Sequence, residues 1–387
     1  MRSRIRGPYR KTRSPVTIDR ADTRATSNGV PVEIRRFIGA EASDDELRQF
    51  YELYVAQGRS AFPGFPRLPF GTYAAALRRG RTNDFGPRHT WAAWEADRLL
   101  GTGTITYADR HMPDWAVPNV VVGEAHRRRG IATALLRELV ADARANGRGT
   151  LANEQVEIGS PAEQWVQAVG FACVQRRIWQ MLHVAQADPA LWEVPVPAGF
   201  RLECWADAAP DVLVTAFAAA RNAIADAPYG ESSYREPEWT VESVRQAEAD
   251  LRAAADDARY VVAVHEETGA IAAVTAIVLR PGTVEICWQR DTAVVRDHRG
   301  LGLGRAVKAA MMRWLIGVFP DLGKVITTTA AENVYMRRVN EQIGYAHYAD
   351  MGTFEASVEQ VGAALGMRGT NNIPGPRREP ARDLEGA

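Results

Sequence analysis

Two stretches of this chain share one layout, in which a Val-rich strand leads into a short turn rich in Arg and Gly and then into an amphipathic helix. The first is VVGEAHRRRGIATALL at residues 121–136, and the second is VVRDHRGLGLGRAVKAAMMRWL at residues 294–315. Arg127 and Gly130 of the first correspond to Arg299 and Gly302 of the second, 172 residues later. A motif that returns at long spacing within one chain indicates an internal duplication.

The turn itself predicts an anion site. Glycines at the start of a helix let a ligand approach the backbone, and the free N–H groups and the helix dipole favour negative charge. Arg299 adds a fixed positive charge with several donors. A pyrophosphate is the simplest ligand for such a site, but no Gly-Lys-Ser/Thr follows, so a P-loop nucleotidase is excluded. The turn residues are Arg299, Gly300, Leu301, Gly302, Leu303, Gly304 and Arg305 in the second copy, and Arg127, Arg128, Arg129, Gly130 and Ala132 in the first.

The rest of the chain repeats with nearly the same spacing. Each copy is predicted to contain a strand, two helices, a hairpin, the strand and helix that flank the turn, and a further strand, helix and strand. The Gly-aromatic pairs Gly170-Phe171 and Gly344-Tyr345 lie 174 residues apart. We therefore expect five segments: a disordered basic arm (1–28), a first domain (29–186), a linker (187–198), a second domain (199–366) and a disordered tail (367–387).

Composition excludes several classes of function. The chain has 387 residues, with 47 Lys and Arg and 47 Asp and Glu, so its zero net charge gives no global electrostatic reason to bind nucleic acid or membrane. Its three cysteines are scattered, which predicts buried thiols in a reducing cytoplasm and neither a disulfide framework nor a metal site. We found no apolar run long enough to span a membrane and no secretory signal. The basic arm is expected to be solvated, with an RNA-contacting arm as the alternative.

The second copy carries further residues of a recognisable pattern. They are Asp291-Thr292-Ala293-Val294-Val295, His298-Arg299-Gly300, Leu303-Gly304, Lys308, and Ala331-Glu332-Asn333 followed by Met336, Val339-Asn340-Glu341 and Ile343-Gly344-Tyr345. Together with the repeated Arg-x-x-Gly-x-Gly/Ala turn, this pattern resembles the tandem GNAT N-acetyltransferases of actinobacteria. The resemblance covers roughly residues 30–360. It implies an α+β class with a mixed sheet and two tandem GNAT folds.

The resemblance also implies where a cofactor binds. In GNAT enzymes the fourth and fifth strands splay apart and acetyl-CoA lies in the gap, with its pantetheine arm bonded to the fourth strand like an added strand. By position, that strand segment is Ala293, Val294 and Val295 in the second copy, and it includes Val121 and Val122 in the first. The turn then holds the pyrophosphate, and Asn333 lies near the pantetheine. Acetyl-CoA or another acyl-CoA is the expected cofactor, without a metal.

Acyl transfer to an amine requires a proton acceptor and a donor for the developing oxyanion. The N–H of Val294 is the expected donor. Glu285 and Asp291 are the candidate bases, six residues apart and therefore on one face of a regular strand, although a bulge would break that parity. Either carboxylate is equally explained as an ion-paired strand residue. Many GNAT enzymes protonate the leaving thiolate with a Tyr that is replaced here by Asn340 and, in the first copy, by Val166.

The first copy departs further from the pattern. Gly159 is aligned with Asn333, and no carboxylate precedes Glu124 in its strand. The first domain is therefore expected to be degenerate, and it either binds coenzyme A or only supports the second domain. The acceptor is expected to contact the loop at residues 224–238, in particular Asp226, Tyr229 and Glu231, since acidic and aromatic groups suit a cationic amine. An ordinary polar loop explains the same residues.

The sequence thus predicts acetyl transfer to the primary amine of a small molecule, such as a natural product, an aminosugar or an antibiotic. Mycothiol synthase activity is a narrower alternative. An acyl carrier protein or aminoacyl-tRNA as acyl donor is a second alternative, prompted by the basic arm and the missing Tyr. A non-catalytic acyl-CoA-binding protein is a third, prompted by the degenerate first copy. The oligomeric state is left open.

Overall fold

A computed structural model of the chain describes residues 25–27, 30–61, 64–79, 86–108, 112–280 and 285–367. Most of the predicted basic arm and nearly all of the predicted tail lie outside these residues. Ala25–Ser27, which the sequence assigned to the arm, form a short strand that pairs with residues 30–32.

The first half follows the predicted order of elements. The sequence predicts a helix over residues 131–145, and α3 has these bounds, because Gly130 in the left-handed region starts it and Asn146-Gly147 end it. The elements are β1 (Ala25–Ser27), β2 (Val30–Phe37), α1 (Asp44–Ala61), α2 (Phe70–Arg78), β3 (Arg88–Glu95), β4 (Arg98–Tyr107), β5 (Trp115–Val122), α3 (Ile131–Ala145), β6 (Thr150–Glu157), α4 (Pro161–Ala168) and β7 (Ala172–His183).

The second half repeats this order with two differences from prediction. The sequence pattern predicts its first helix over residues 208–222, but the observed helix is shorter, and a helix that the sequence did not predict follows the last strand. The elements are β8 (Phe200–Ala206), α5 (Val214–Arg221), α6 (Val241–Ala253), β9 (Asp257–His265), β10 (Ile271–Leu279), β11 (Ile286–Val294), α7 (Leu303–Val318), β12 (Lys324–Ala330), α8 (Val334–Gln342), β13 (Ala346–Ser357) and α9 (Val358–Ala364).

All described strands belong to one mixed sheet. Its order is β1-β2-β3-β4-β5-β6-β13-β7-β12-β11-β10-β9-β8. The pairs β5–β6 and β11–β12 are parallel, and the other neighbours are antiparallel. The predicted α+β class with a mixed sheet is therefore confirmed.

The two halves exchange their last strands at the centre of this sheet. Strand β13 lies between β6 and β7, and β7 in turn pairs with β12 of the second half. The sequence predicts a first domain (29–186) that is closed by its own last strand, whereas β7 is bonded on both sides to strands of the second half. Each half thus completes the sheet of the other, a non-local pairing that the repeat pattern does not encode.

Helices cover both faces of the sheet, and alternating strand residues show which helix lies on which face. In β9, Val261 and Ala263 pack into the cluster of α7, whereas Val262 and Val264 pack into the cluster of α5 and α6. In the first half, Ala93 packs with α3 and Trp94 packs with Phe50 of α1. The helices that follow the two Arg/Gly turns therefore lie opposite α1, α2, α5 and α6.

The Pro-rich linker is anchored in the second half. Trp192 within it is 2% exposed and packs into the cluster of α7. Its indole N–H donates to the Ile343 carbonyl at 3.0 Å, and its own carbonyl accepts from Arg313. The polar end of a buried Trp needs such a partner, so the linker is fixed up to this residue.

Candidate functional site

The parallel strands β11 and β12 pair over only three residues and then separate. The pairs are Ile286 with Lys324, Cys287 with Val325 and Trp288 with Ile326. In the first half, β5 and β6 pair only at Trp115 with Thr150 and Ala116 with Leu151. The predicted splay is thus present in both halves, and in each the gap opens toward the end of the sheet where the Arg/Gly turn begins.

The two turns have matching backbone conformations. Gly300 and Gly302 have φ of 80° and 82°, and their counterparts Arg128 and Gly130 have 64° and 77°. Arg128 is the only one of the four with a side chain, and it adopts a conformation that disfavours one. Agreement at both positions means that the two turns share one backbone geometry, although the first has Arg128 where the second has Gly300.

Each turn also fixes its first arginine to the preceding strand. The Arg299 Nε–H donates to the Val294 carbonyl at 3.1 Å, and the Arg127 Nε–H donates to the Val122 carbonyl at 3.4 Å. Neither α3 nor α7 has a side chain capping its N-terminus, since the N-cap residue is Gly in both. These unpaired donors fit an anion.

A carboxylate of the chain itself contacts two arginine side chains of the second turn. Asp226 Oδ2 accepts from Arg299 Nη2 at 2.6 Å, and Asp226 Oδ1 lies 3.5 Å from Arg296 Nη2. The hydrogen bond from Arg299 holds the pKa of the Asp226 carboxyl below its usual range. Asp226, which the sequence assigned to acceptor binding, therefore contacts the predicted pyrophosphate turn. Arg127 has no carboxylate partner among the described residues.

The N–H of Val294 in the second half faces the gap. The Val295 N–H donates to the Ala272 carbonyl of β10 at 2.8 Å, and N–H groups along a strand alternate sides. The N–H of Val294 therefore faces away from β10, toward β12. The Ala293 side chain is buried with α5 and α6, and Val294 packs toward α7. In the first half, the hydrogen bond equivalent to that of Val295 is made by Gly123, whose N–H donates to the Leu100 carbonyl at 2.9 Å.

The two candidate bases lie far apart and do not share a face. Pairing with β10 shifts register between Gln289 and Thr292, which gives β11 one extra residue around Asp291. This bulge breaks the parity on which the shared-face expectation rested. Asp291 points toward α5, where Arg221 Nη2 donates to its Oδ2 at 3.1 Å and the carboxylate is 41% exposed. The Arg221 guanidinium in turn stacks over Trp239 at 3.3 Å.

Glu285 lies at the other end of β11. Its backbone carbonyl accepts from the N–H groups of Gly323 and Lys324, and it lines an open groove with Gly64 and Pro66. Nine residues of extended chain separate it from Val294, which is roughly 30 Å. The structure therefore brings Asp291, and not Glu285, near the turn.

Asn333 is the N-cap of α8, and its side-chain oxygen accepts from the Met336 N–H at 3.1 Å. The N-cap of the equivalent helix α4 is Ser160, which accepts from the Glu163 N–H at 3.2 Å. The structural counterpart of Asn333 is therefore Ser160 and not Gly159. The sequence comparison was one residue off because the spacing between the copies drifts along the chain.

Asn340, at the position of the family's Tyr, is fully buried. Its amide nitrogen donates to Gln180 Oε1 at 2.9 Å and to Thr329 Oγ1 at 3.3 Å. Gln180 belongs to the exchanged strand β7, so the first half contributes to the packing of this helix. An amide has no proton to lose at neutral pH, and a general acid is absent at this position as the sequence indicated.

The loop at residues 224–238 reaches across to the first half. The Glu231 N–H donates to the Val174 carbonyl at 2.8 Å, and the carboxylate of Glu355 on β13 accepts from Ser232 and from the N–H of Ser233. The Tyr229 hydroxyl donates to Glu236 at 2.6 Å. Burial and this carboxylate raise the pKa of Tyr229, so it stays protonated. Tyr229 is half-buried, whereas the Glu231 side chain is exposed.

The remaining turn residues divide between surface and core. Leu301 is exposed, while Leu303 and Gly304 are buried under the sheet and Arg305 has a buried Nε without a partner among the described residues. In the first half Arg129 forms an ion pair with Glu95. Within the described ranges, no group of three or more His, Cys, Asp or Glu side chains is arranged to hold a metal ion. In the same ranges, no helix has the length and apolar character needed to cross a membrane.

Comparison with known proteins agrees with this geometry. The chain is 29% identical over 106 residues to the uncharacterized N-acetyltransferase YsnE of Bacillus subtilis (strain 168). That match covers 27% of this chain and 66% of the relative, just under two thirds of its length. Among solved structures, a tandem GNAT protein from the clavulanic acid biosynthesis pathway has a TM-score of 0.67 at 24% identity, covering 84% of this chain and 98% of its own.

A GCN5-related N-acetyltransferase from Sphaerobacter thermophilus has a TM-score of 0.62 at 16% identity, covering 84% of this chain and 96% of its own. At these identities the two structures establish the fold. The sequence profile of the Acetyltransferase (GNAT) family matches residues 47–171 and again residues 222–345, more than half of the chain. The protein therefore belongs to the GNAT acetyltransferase family and carries two copies of its fold in tandem.

Proposed function

We propose that the second half is an acetyl-CoA-dependent N-acetyltransferase that acts on the primary amine of a small molecule in the cytoplasm. The observation that carries the proposal is the gap between β11 and β12, which opens at the uncapped N-terminus of α7 beside Arg299. A gap lined by a free strand N–H and ending in an anion site suits a pantetheine arm followed by a pyrophosphate.

The residues at hand fit coenzyme A. Residues 299–305 would hold the pyrophosphate, Ala293, Val294 and Val295 would hold the pantetheine arm, and Asn333 stands at the same end of the sheet. The acyl-CoA thioester, when bound, supplies the activated acetyl group. The Asp226 carboxylate on Arg299 supports the fit, because it is an anion held by the arginine that would contact the pyrophosphate.

The chain's own groups provide the rest of the chemistry. Asp291 is the group proposed to take the proton from the acceptor's ammonium, because its half-exposed carboxylate lies on the acceptor side of β11. The N–H of Val294 supplies a donor inside the gap for an oxygen that gains negative charge. Tyr229 and Glu231 remain candidates for contacts with the acceptor.

The first half is proposed to have a supporting role. Asn153 Nδ2 donates to the Pro118 carbonyl at 2.9 Å, so a side chain of β6 bridges the gap to β5. This bridge favours catalysis in the second half. The open Arg127 turn leaves coenzyme A binding by the first half, through Val121, Val122, Arg127, Arg128, Arg129, Gly130 and Ala132, as part of the proposal to be tested.

Calorimetric titration with acetyl-CoA, with coenzyme A release measured on a panel of small amines, tests this function. We expect the wild type to bind and turn over, Arg299→Glu to lose the site of the second half together with turnover, and Arg127→Glu to retain turnover. A stoichiometry of two that Arg127→Glu halves would assign cofactor to both halves. Full turnover by Arg299→Glu would refute the assignment of catalysis to the second half.

A further inference from the structure

The exchanged strand β7 forms part of the acceptor side of the second half. Its residues 175, 177, 179 and 181 alternate onto the face of α5 and α6. Gln175 Nε2 donates to the Pro228 carbonyl at 2.8 Å, which fixes the loop of residues 224–238 to this face. Trp179 packs edge-on against Trp288 of β11 at 5.2 Å. Arg177 therefore lies between the acceptor loop and an aromatic pair at the root of the gap.

The Arg177 guanidinium is positioned but not neutralised. Its Nε–H donates to Thr328 Oγ1 at 3.1 Å, and no carboxylate of the described residues lies within ion-pair distance of it. Other arginines on this side of the sheet have acidic partners: Arg221 pairs with Asp291, and Arg299 pairs with Asp226. The Nε bond orients the fork so that both Nη groups of Arg177 remain available.

The strand register brings this guanidinium level with Asp291 on the other wall of the gap. Trp288 and Ile326 form the last parallel pair, and Thr328 lies two residues further along β12. Asp291 lies three residues beyond Trp288, one of which is taken up by the bulge. A carboxylate on the β11 wall and a guanidinium on the β12–β7 wall thus lie at the same level on the same face of the sheet. The distance between the Asp291 carboxylate and the Arg177 guanidinium exceeds one strand spacing of about 4.8 Å, because β11 and β12 have diverged at this level.

We propose that Arg177 binds an anionic group of the acceptor, so that the substrate carries a carboxylate or a phosphate in addition to its primary amine. This inference rests on the proposed function of the second half and specifies the class of its acceptor. The amine lies toward Asp291 and the anion toward Arg177. An arginine fork with two free Nη groups matches carboxylate and phosphate oxygens equally well.

A consequence concerns the duplication itself. Arg177 belongs to the first half in sequence but to the second half in the sheet. The first half, which is proposed to have lost catalysis, then contributes the residue that selects the acceptor, and strand exchange is what delivers it.

Paired amines test the inference. Amino acids and their carboxamides form one arm, and glucosamine phosphate and glucosamine form the other, so that the two sources of negative charge are separated. Steady-state coenzyme A release gives kcat and KM for each member with wild type, Arg177→Gln, Arg177→Lys and Arg176→Gln. Arg176 is the matched control because it is the adjacent arginine and alternates onto the opposite face.

We expect the wild type to prefer the anionic member of one arm by about tenfold or more in kcat/KM, as loss of a charge-assisted bidentate contact produces. Arg177→Gln should lose the preference mainly through KM, Arg177→Lys should retain part of it, and Arg176→Gln should retain all of it. Thr328→Val, which frees the guanidinium, should weaken the preference without abolishing it. Acetyl-CoA titration of each variant verifies that it is folded.

Two results would overturn the inference and leave the proposed function intact: turnover of neutral and anionic members at equal efficiency, or a preference that Arg177→Gln preserves. A different result would be that none of the amines in either arm causes release of coenzyme A. It would contradict the proposed function, and the inference about the acceptor would fall with it.

Discussion

Asp291 and Glu285 are two carboxylates of the same strand region that the structure separates. Only Asp291 lies near the gap, since Glu285 stands at the opposite end of β11. If Asp291 takes the proton of the acceptor, Asp291→Asn should lower kcat by about a hundredfold or more, the usual size of a general-base contribution. Glu285→Gln should leave kcat within about twofold, because an exposed residue distant from the reaction rarely affects it.

Steady-state release of coenzyme A, measured for both variants at saturating acetyl-CoA, makes this comparison. Since Asp291 also pairs with Arg221, a thermal melt of Asp291→Asn has to accompany the kinetics. Reversal of the two effects would identify Glu285 as the functional carboxylate and would mean that the acceptor enters from the other end of the strand.

The contact of Asp226 with Arg299 predicts competition with coenzyme A. The carboxylate must leave the guanidinium before a pyrophosphate can take its place, and an exposed ion pair of this kind is worth about 0.2–1 kcal/mol. Asp226→Asn should therefore lower the Kd of coenzyme A for the second half by a factor of about 1.4 to 5. Asp297→Asn is the control, because Asp297 is an exposed acid of the same turn without a bond to Arg299.

Titration of each variant with coenzyme A in low and in high salt separates direct competition by Asp226 from the long-range effect of removing a negative charge. Removing any acid from the turn strengthens the long-range attraction for a polyanion, and salt screens that effect. If Asp297→Asn tightens binding as much as Asp226→Asn does, the direct contact contributes nothing.

Lys308 predicts a pH dependence of stability. It is buried in α7 with its ammonium 5.3 Å from the ring of Tyr345, and desolvation lowers its pKa to about 7. The unfolded chain keeps the ordinary value of about 10.4, so between pH 7 and 10 it binds a proton that the folded state does not. The free energy of unfolding then rises with pH, by at most about 1.4 kcal/mol per unit.

Lys308→Met removes this titration and keeps the apolar volume. The variant should be more stable than the wild type near neutral pH, and the difference should shrink as the pH rises toward about 10. Urea denaturation of both proteins across this range measures the difference, in which all other titrations cancel. A difference that does not change with pH would mean that the Lys308 amine is charged in the folded protein.

At the scale of elements, α9 predicts the effect of a truncation. Its Val358 and Val361, with Leu365 just beyond it, are buried against α3, and Arg137 donates twice to the Leu365 carbonyl at 3.1 Å. Ending the chain after Ser357 exposes this apolar face and should lower the melting temperature by several degrees, since burying each such side chain is worth about 1.5–3 kcal/mol. Ending it after Met367 should leave the melting temperature unchanged.

The elements also show where local pattern suffices. The helix α3 is set by its 3.6-residue period, a left-handed Gly130 and an Asn-Gly stop, all local signals that predicted its bounds. The bulge at Asp291 has no such signal, because it depends on the register of β11 with β10. The short α9 does have one, since Ser357 and Gln360 form a capping box at its start, a pattern that adjacent residues carry although the sequence prediction omitted this helix.

The residues of the candidate site likewise divide into those that local sequence predicts and those that depend on contacts between distant segments. Arg299, Gly302 and their counterparts were predictable, because a turn followed by a helix start is read from adjacent residues. The contact of Asp226 with Arg299 and the position of Arg177 beside Thr328 join segments 73 and 151 residues apart. Alternation in β7 was visible in the sequence, but the neighbours of β7 were not.

At the scale of the molecule, strand exchange predicts that the two halves are one cooperative unit. Either predicted domain alone would lack a central strand, because β13 completes the sheet of the first half and β7 that of the second. A cut of the covalent linker leaves both strands in place. Residues 195–198 offer the position for such a cut, since Val196 is exposed and the anchored Trp192 lies before it.

A protease site inserted at this position should therefore yield two fragments that stay together. After cleavage we expect them to coelute in size exclusion at the size of the intact chain and to unfold in a single transition, because each fragment donates a strand that the other needs to satisfy its backbone hydrogen bonds. Cleavage at a second inserted site, after Gly366, controls for effects of nicking. Two separate folded fragments, each with its own melting transition, would contradict the exchange and would return β7 and β13 to the halves that encode them.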